Sequence, residues 1–304
     1  MRLLKKYNHM QLLIFILVYP LMWVLSKFPF RALYIISDIA FVLIYHVIGY
    51  RKKVVRNNIK IAYPDISAEK LKTTERKFYH HFCDIFIEMI KTMSISETEM
   101  RKRYTFTNME VAGKFMNHNR DLILCLGHYA SYEWVLSLHS HYDNKGYGIY
   151  KRIKNKHFDK LIRDIRGKWK TTLVVNKEAK TKIAEVMKGT HDKAVLFGFI
   201  MDQSPSNNRN KHWAKFFNVK TPFFTGVETI AKEHNLPLLF LGTKKIKRGY
   251  YESTFTIITE TPREHKDFEL TDTFANLLQK QIDIAPEYYF WTHKRFKFVK
   301  GLDE

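Results

Sequence analysis

Residues 124–134 carry the most informative pattern of the chain, Leu124-Cys125-Leu126-Gly127-His128-Tyr129-Ala130-Ser131-Tyr132-Glu133-Trp134. The wholly apolar run at 122–126 predicts a buried strand because of its length and composition. His128 follows that strand at once, where α/β folds expose their functional side chains. A helix is predicted at 131–141, so the stretch predicts a strand, a loop that carries a histidine, and a helix.

On the carboxyl-terminal side of this segment, short apolar runs alternate with amphipathic segments. This alternation predicts an α/β fold with a mixed sheet flanked by helices. Residues 51–94 are predicted to be helical. Further strands are predicted at 147–150, 172–175, 194–201, 237–243 and 255–258, and further helices at 158–169, 178–188, 225–234 and 270–284.

The amino-terminal region predicts attachment to a membrane. Between Lys6 and Lys27 no Asp, Glu, Lys or Arg occurs, and a run of that length crosses a bilayer. The next stretch, 32–50, contains Asp38, and we predict an interfacial or re-entrant helix there. A cleaved signal peptide is the competing interpretation, although no small-residue cleavage site follows the run. The basic residues at 51–56 favour a body on the cytoplasmic side.

Composition restricts the class of partner. The chain has 304 residues, of which 45% are hydrophobic, and this excludes a disordered protein. The 51 Lys and Arg exceed the 30 Asp and Glu by 21, which favours an anionic partner such as nucleic acid, a membrane, a phosphorylated lipid or an acidic carrier protein. Two cysteines, Cys83 and Cys125, predict neither a disulfide framework nor a metal site, and no cofactor is expected.

His128 and Glu133 are the candidate chemical pair. Residues five apart on one continuous helix point about 140° apart and do not pair. If the helix begins near Ser131, His128 lies in the preceding loop and can fold back onto Glu133, which would then hold the imidazole tautomer. His128 would take the proton of a hydroxyl, and the alkoxide would attack an activated acyl carbonyl. The alternative is a loop histidine bonded to a helix amino terminus.

With the membrane segment, the strand–Gly-His-x4-Glu pattern resembles the lipid A biosynthesis acyltransferase family, the lauroyl and myristoyl acyltransferases, whose fold is glycerolipid-acyltransferase-like. Segments that resemble the family in order are 51–65, 150–155, 163–167, 201–203, 216–218 and 291–297. Lys151-Arg152 replaces the family's Arg-Pro, and Asn218 replaces its usual glycine. The resemblance implies a membrane anchor and interfacial helix over residues 1–50 and an acyltransferase domain over residues 51–304.

The resemblance also implies roles for individual residues. His128 is the base and Glu133 its partner. Arg166 matches the family's arginine better than Arg163 does, because it directly precedes Gly167. Asp202 matches the second essential acid. The remaining implied contacts are to an anionic head group of the substrate, and they involve Lys151, Arg152, Lys154, Asn155, Arg163 and Gln203.

The implied reaction moves a fatty acyl chain from an acyl carrier protein thioester to a hydroxyl of a lipid A precursor, a phosphorylated glycolipid, at the bacterial inner membrane. The carrier protein is acidic, which suits the charge of +21; coenzyme A is the alternative donor. Another bacterial glycolipid or a lysophospholipid is the alternative acceptor. A nucleic-acid-binding protein is disfavoured by the membrane segment and by the lack of a recognisable nucleic-acid-binding motif. A non-catalytic membrane protein leaves the ordered motifs unexplained. His-x4-Glu is not the His-Glu-x-x-His of a metal-dependent hydrolase.

Overall fold

The computed structural model describes residues 2–205 and 211–301. Its amino-terminal part consists of two helices that are each long and apolar enough to cross a membrane, with mean hydropathy 1.7 over Met10–Lys27 and over Phe30–Ile48. The second segment is therefore as apolar as the first, despite Asp38. Helix α1 spans Arg2–Lys27, and α2 spans Phe30–Phe41 and continues as the π-helical segment Val42–Ile48.

Helix α2 has one buried face and one exposed face. Ser37, on the buried face, donates a hydrogen bond of 2.8 Å to Asp84 of the long helix α4 (Ala68–Thr92). The ring of Tyr45 lies 5.2 Å from that of Tyr79, so α2 and α4 run antiparallel. Apolar side chains on the other face are solvent-exposed, among them Ile35, Ile39, Val42 and Val47.

The body is built on a seven-stranded mixed sheet, which confirms the predicted fold class. The strand order is β1-β9-β8-β2-β5-β3-β4; only β8 and β9 pair antiparallel within it. A separate antiparallel hairpin is formed by β6 and β7. The strands span Tyr104–Thr107 (β1), Leu122–Leu126 (β2), Lys145–Tyr150 (β3), Thr171–Val175 (β4), Val195–Ile200 (β5), Lys211–Phe216 (β6), Val219–Phe224 (β7), Leu238–Lys247 (β8) and Tyr250–Thr259 (β9).

The predicted strands all occur, whereas β1, the β6–β7 hairpin, and the helices α5 and α6 were not predicted. The predicted helical region 51–94 is two helices, since the chain breaks around Pro64. The remaining helices span Lys52–Ala62 (α3), Glu97–Arg103 (α5), Glu110–Met116 (α6), Lys156–Gly167 (α7), Ala179–Lys188 (α8), Gly226–His234 (α9) and Glu269–Ile284 (α10).

The helix predicted at 131–141 differs from the structure. Residues Trp134–Ser140 form a 3-10 helix, and Glu133 stands before its first turn. Trp134 is completely buried, and its indole Nε1 donates to Thr92 at 2.9 Å, which fixes the start of this helix against α4. His128 therefore lies in a loop, as predicted, but the loop is longer than expected.

The register between two neighbouring strands positions the candidate catalytic residues. Parallel strands β2 and β5 are neighbours in the middle of the sheet, with Leu126 opposite Ile200. The Met201 amide donates to the Leu126 carbonyl at 3.1 Å, so the pairing continues past both strand ends. His128 and Asp202, each two residues beyond a paired position, are brought side by side at the carboxyl edge.

Candidate active site

His128 is bonded to Asp202 through both its side chain and its backbone. Its Nδ1 lies 2.6 Å from Asp202 Oδ1, and its amide donates to Oδ2 at 3.0 Å. The Asp202 side chain is 3% exposed and that of His128 16%. A buried carboxylate thus fixes the ring, while the ring keeps one edge accessible.

The charge of Asp202 decides the tautomer of His128. Burial alone would raise the pKa of Asp202, but the charge and hydrogen bonds of His128, with a smaller contribution from the charge of Arg295, hold that pKa below its usual value. Ionised Asp202 accepts the Nδ1 proton, so neutral His128 presents an unprotonated Nε2. Gln203 Nε2 lies 3.4 Å from that nitrogen.

Glu133 does not pair with His128 as expected from the sequence; its partner is Arg166. The guanidinium of Arg166 donates from Nε to one carboxylate oxygen at 2.8 Å and from Nη2 to the other at 2.6 Å. The physical reason is the position of Glu133 before the 3-10 helix, facing the last turn of α7, while Asp202 already occupies the Nδ1 side of His128. This bidentate geometry is the strong form of an arginine–carboxylate pair.

The two candidate arginines are separated by the structure. Arg163 lies one turn earlier on α7. Its Nε lies 3.3 Å from Asp159 Oδ2, and its side chain is half exposed. Arg166 is 23% exposed and reaches the site. Burial would lower the pKa of Arg166, but its interactions with Glu133 outweigh that and raise it. Arg166 is therefore a fixed cation beside the loop that contains His128, residues 127–133, which we call the histidine loop.

Tyr132 lies between the two pairs. Its ring is 4.9 Å from that of His128, in an edge-to-face arrangement. Burial, and then the charge of Glu133, raise the pKa of Tyr132 far above its ordinary value, so its hydroxyl stays protonated. An O–H donor thus accompanies the imidazole.

The carboxyl-terminal segment holds the histidine loop from behind. The amide of Phe290 donates to the His128 carbonyl at 3.1 Å, and that of Ala130 donates to the Tyr288 carbonyl at 2.9 Å. Ala130 has φ 49°, a left-handed conformation that is uncommon for a residue with a side chain. The Phe290 ring also lies 5.9 Å from that of His128. Backbone hydrogen bonds therefore hold the loop in this strained conformation.

Behind Asp202 the same segment supplies a neutral histidine and a buried arginine. Burial lowers the pKa of His293 to about 4, and its Nε2 accepts the amide of Ser204 at 3.1 Å. Arg295 is 1% exposed and donates to the Pro222 carbonyl at 2.8 Å. These contacts fix the chain immediately after Asp202.

Two of the matched sequence segments meet at this point. The Asn58 amide, on α3, donates to the carbonyls of Trp291 and His293 at 2.8 and 2.7 Å. Arg51 donates to the Thr292 carbonyl at 2.9 Å. Segments 51–65 and 291–297, which are far apart in sequence, therefore form one support for the histidine loop.

Three of the predicted head-group residues follow the next strand along the same edge of the sheet. Lys151, Arg152 and Lys154 are exposed immediately after β3, which neighbours β5. Asn155 has a structural contact: its Oδ1 caps α7 by accepting the His157 amide at 2.9 Å. The three cations are therefore exposed near the site, with Arg152 also 3.8 Å from a carboxylate oxygen of Glu178, while Asn155 shapes the turn.

Sequence reasoning missed Tyr132, Phe290 and His293 as neighbours of the site. Tyr132 was signalled by its place beside Glu133 in the quoted stretch. His293 lies in the segment 291–297 that resembles the family, but its place beside the site was not predicted. Phe290 gave no local signal, because its proximity depends on the bonds between the carboxyl-terminal segment and the loop.

No curated protein matches the chain. The family model for bacterial lipid A biosynthesis acyltransferases matches residues 1–298, nearly the full length. The chain therefore belongs to the bacterial lipid A biosynthesis acyltransferase family and is an enzyme that transfers acyl groups.

Proposed function

We propose that the enzyme moves a fatty acyl chain from an acyl carrier protein thioester to a hydroxyl of a phosphorylated lipid A precursor, with His128 as the base. The observation that carries this proposal is the His128–Asp202 pair at 2.6 Å, which leaves Nε2 as the unprotonated nitrogen at the carboxyl edge of the sheet. Asp202 takes the orienting role that the sequence had suggested for Glu133.

The reaction proceeds in two steps. His128 Nε2 takes the proton of the acceptor hydroxyl while its oxygen bonds to the thioester carbonyl carbon, giving a tetrahedral oxyanion. The carbon–sulfur bond then breaks, the carbonyl re-forms, and the imidazolium returns its proton to the departing thiolate. Asp202 stabilises the imidazolium between these steps. The Gln203 amide and the Tyr132 hydroxyl are the nearby donors for the oxyanion.

Arg166 binds the acceptor, and Glu133 holds Arg166 in place. Because both carboxylate oxygens of Glu133 hold its guanidinium, Arg166 is fixed in one orientation with donor capacity remaining. It binds an anionic or hydroxyl group of the glycolipid, and Lys151, Arg152 and Lys154 bind phosphate at the rim. Glu133 is then a positioning residue for Arg166.

The enzyme works at the inner membrane with its body on the cytoplasmic side, and residues 1–50 attach it there. Two apolar helices support this placement, as do the exposed apolar side chains of α2. A reaction whose acceptor is a lipid requires the site to lie against the bilayer.

The test is transfer of a labelled acyl chain from loaded carrier protein to a lipid A precursor by enzyme purified in detergent, without added metal. We expect His128→Ala to reduce transfer by about 10³-fold or more and Glu133→Ala to reduce it by at least about tenfold. His118→Ala, which changes an exposed histidine, is the matched control and should retain full activity.

Full activity of both His128→Ala and Glu133→Ala would contradict the proposed mechanism. Transfer that requires a metal and stops with a chelator would favour hydrolase-type chemistry instead. Supplying the same chain on coenzyme A decides the donor, since the proposal requires faster transfer from the carrier protein.

A further inference from the structure

A basic pocket of about 520 Å³ lies where the corner between α1 and α2 meets the end of α4 and the short helix α5. Its volume is within the range of pockets that bind small molecules. Three cations line it, each from a different helix: Arg31 from α2, Lys91 from α4 and Arg103 from α5. Among the lining residues that the structure describes, Glu99 is the one acidic side chain. The lining therefore carries an excess of positive charge.

Glu99 is paired with the cation of its own helix. Arg103 Nε donates to Glu99 Oε1 at 2.6 Å, and Arg103 Nη1 donates to the Gly249 carbonyl at 3.3 Å. The guanidinium carbon of Arg103 lies 3.4 Å from the ring centroid of Phe30 and 4.6 Å from that of Tyr250, so two aromatic rings hold it in place. Glu99 therefore offsets one charge of the lining, and the charges of two further cations remain.

Lys91 is partly buried beside Arg103. Its Nζ donates to the carbonyls of Ser26 and Phe28, each at 2.9 Å, and an ammonium group has three donors, so one is left for a ligand. Burial lowers the pKa of Lys91, and the charge of Arg103 lowers it further. An anion bound between the two side chains would relieve this repulsion. A phosphate suits the arrangement because its several oxygens accept bonds from donors that converge from different helices.

The pocket is separate from the candidate active site. Its wall includes Phe30, whose ring meets that of the completely buried Trp134 edge-on at 6.2 Å. The described lining contains no residue of the His128 cluster. A phosphate held there is therefore not part of the group that reacts at His128.

The chain that leads into the pocket carries exposed apolar side chains. Trp23 is 48% exposed, Val24 46% and Phe28 40%. Lys27 Nζ lies 5.0 Å from the Trp23 ring centroid. Exposed aromatic side chains mixed with cations are typical of the boundary between the hydrocarbon and the head groups of a bilayer. A phosphate attached to hydrocarbon chains matches both features, whereas inorganic phosphate leaves the apolar side chains in water.

We propose that this basic pocket binds the phosphate of an anionic bilayer phospholipid that is distinct from the acyl acceptor. Arg31 and Lys91 bind the phosphate oxygens, and Arg103 adds a third positive charge beside them. The hydrocarbon chains of the lipid lie against the exposed apolar side chains of α1. Because Lys91 also holds the corner between α1 and α2, the bound lipid fixes that corner against the body. The site involves no acyl transfer, so it stands apart from the proposed function.

The first experiment titrates the full-length enzyme in detergent with phosphatidylglycerol, or with phosphatidylcholine of the same chains, and measures bound lipid by native mass spectrometry. Phosphatidylglycerol should bind at least about fivefold more tightly, because the choline cation is repelled by the pocket. Arg31→Gln combined with Lys91→Gln should weaken phosphatidylglycerol binding by about tenfold or more. Arg76→Gln combined with Lys102→Gln removes the same two residue types at exposed positions outside the lining, and it should leave binding unchanged.

Arg31→Gln alone covers the case in which loss of the Lys91 contacts prevents folding. Arg31 is exposed, and its replacement should still weaken binding by about fivefold. Equal binding of the two lipids, or an equal loss in the two double variants, overturns the proposal.

The second experiment identifies the source of the phosphate. Inorganic phosphate, added at the concentration of the lipid, should leave the complex with phosphatidylglycerol intact; displacement at that concentration would assign the pocket to free phosphate and overturn the lipid assignment. A lipid A precursor added to the same complex should bind alongside phosphatidylglycerol and give the mass of a ternary complex. Replacement of phosphatidylglycerol by the precursor, one for one, would make the pocket part of the acceptor site and overturn the proposal.

Discussion

His128 depends on a carboxylate 74 residues away in sequence. Asp202 accepts both the ring Nδ1–H and the backbone amide of His128, so one side chain fixes the tautomer, the orientation and the position of the base. Glu133, the nearer acid, is fully engaged by Arg166. The two carboxylates therefore have separate roles, one acting on the base and the other on a cation.

Replacing Asp202 with Asn tests this division. The amide keeps the shape but no longer stabilises a charged imidazole, and it allows the wrong tautomer at Nδ1. We expect kcat to fall by about 10² to 10⁴-fold while KM changes far less. Steady-state transfer kinetics across pH, with thermal unfolding to verify the fold, make the measurement.

Two comparisons sharpen that result. Asp202→Glu keeps the charge and should recover part of the lost activity, whereas Asp192→Asn, an exposed change, should have no effect. If Asp202→Asn keeps wild-type kcat, the orienting role belongs elsewhere.

The site could be predicted residue by residue but not pair by pair. His128, Glu133, Arg166 and Asp202 were all named from the sequence, and all four lie in the observed cluster. The pairing of His128 with Asp202 was not predictable, because it depends on β2 and β5 being neighbours with Leu126 opposite Ile200. Strand order is a tertiary property that local patterns do not carry.

Among the elements, α4 connects the apolar amino-terminal helix α2 to the histidine loop. Glu88, 1% exposed, accepts hydrogen bonds from Tyr34 of α2 at 3.0 Å and from Tyr251 of β9 at 2.9 Å. Ser131, in the loop itself, donates to the same carboxyl group at 3.4 Å. One buried carboxyl thus connects α2, the sheet and the loop that contains the base.

Glu88 should make stability depend on pH. Burial raises the pKa of Glu88 from 4.5 to about 7, so between those values the folded protein keeps a proton that the unfolded chain has lost. The free energy of unfolding should therefore decrease as pH rises through that window, by up to about 3 kcal/mol, and level off above it. Glu88→Gln should remove this slope, as measured by denaturant unfolding between pH 5 and 8.

Glu69→Gln serves as the control, because Glu69 is exposed in the first turn of the same helix. It should leave the slope unchanged. An identical pH dependence in wild type and Glu88→Gln would show that Glu88 does not hold the extra proton.

Element type was well predicted where a pattern was strong, as for β2 and α7. The β6–β7 hairpin was missed because Lys211–Phe216 mixes basic and aromatic residues without an apolar run. β1 is four residues long and pairs only with β9, so its sequence carries almost no local signal. Helix α2 was predicted in place, but its buried face could not be seen before its partner α4 was known.

At the scale of the whole molecule, two surfaces with different chemistry converge near the site. Exposed apolar side chains of α1 and α2 form one surface. The other carries part of the net charge of +21, including Lys151, Arg152 and Lys154 at the carboxyl edge of the sheet. Under the proposed function, the lipid acceptor reaches the site along the first surface, while the second surface both binds the acceptor's phosphate and attracts the acidic donor protein.

The basic surface should make donor binding depend on salt. For the carrier-protein donor, KM should rise by about tenfold between 50 and 300 mM salt with kcat unchanged, since screening weakens attraction between opposite surfaces. A short neutral thioester carrying the same chain should show little dependence. Changing the three basic residues after β3 to Gln should raise KM at low salt and flatten the curve. Gln at three other exposed basic positions, Lys70, Lys72 and Arg76 near the start of α4, is the matched triple. If both triples shift KM equally, net charge rather than this edge attracts the donor; if neither shifts it, the donor is not recruited by charge at these positions.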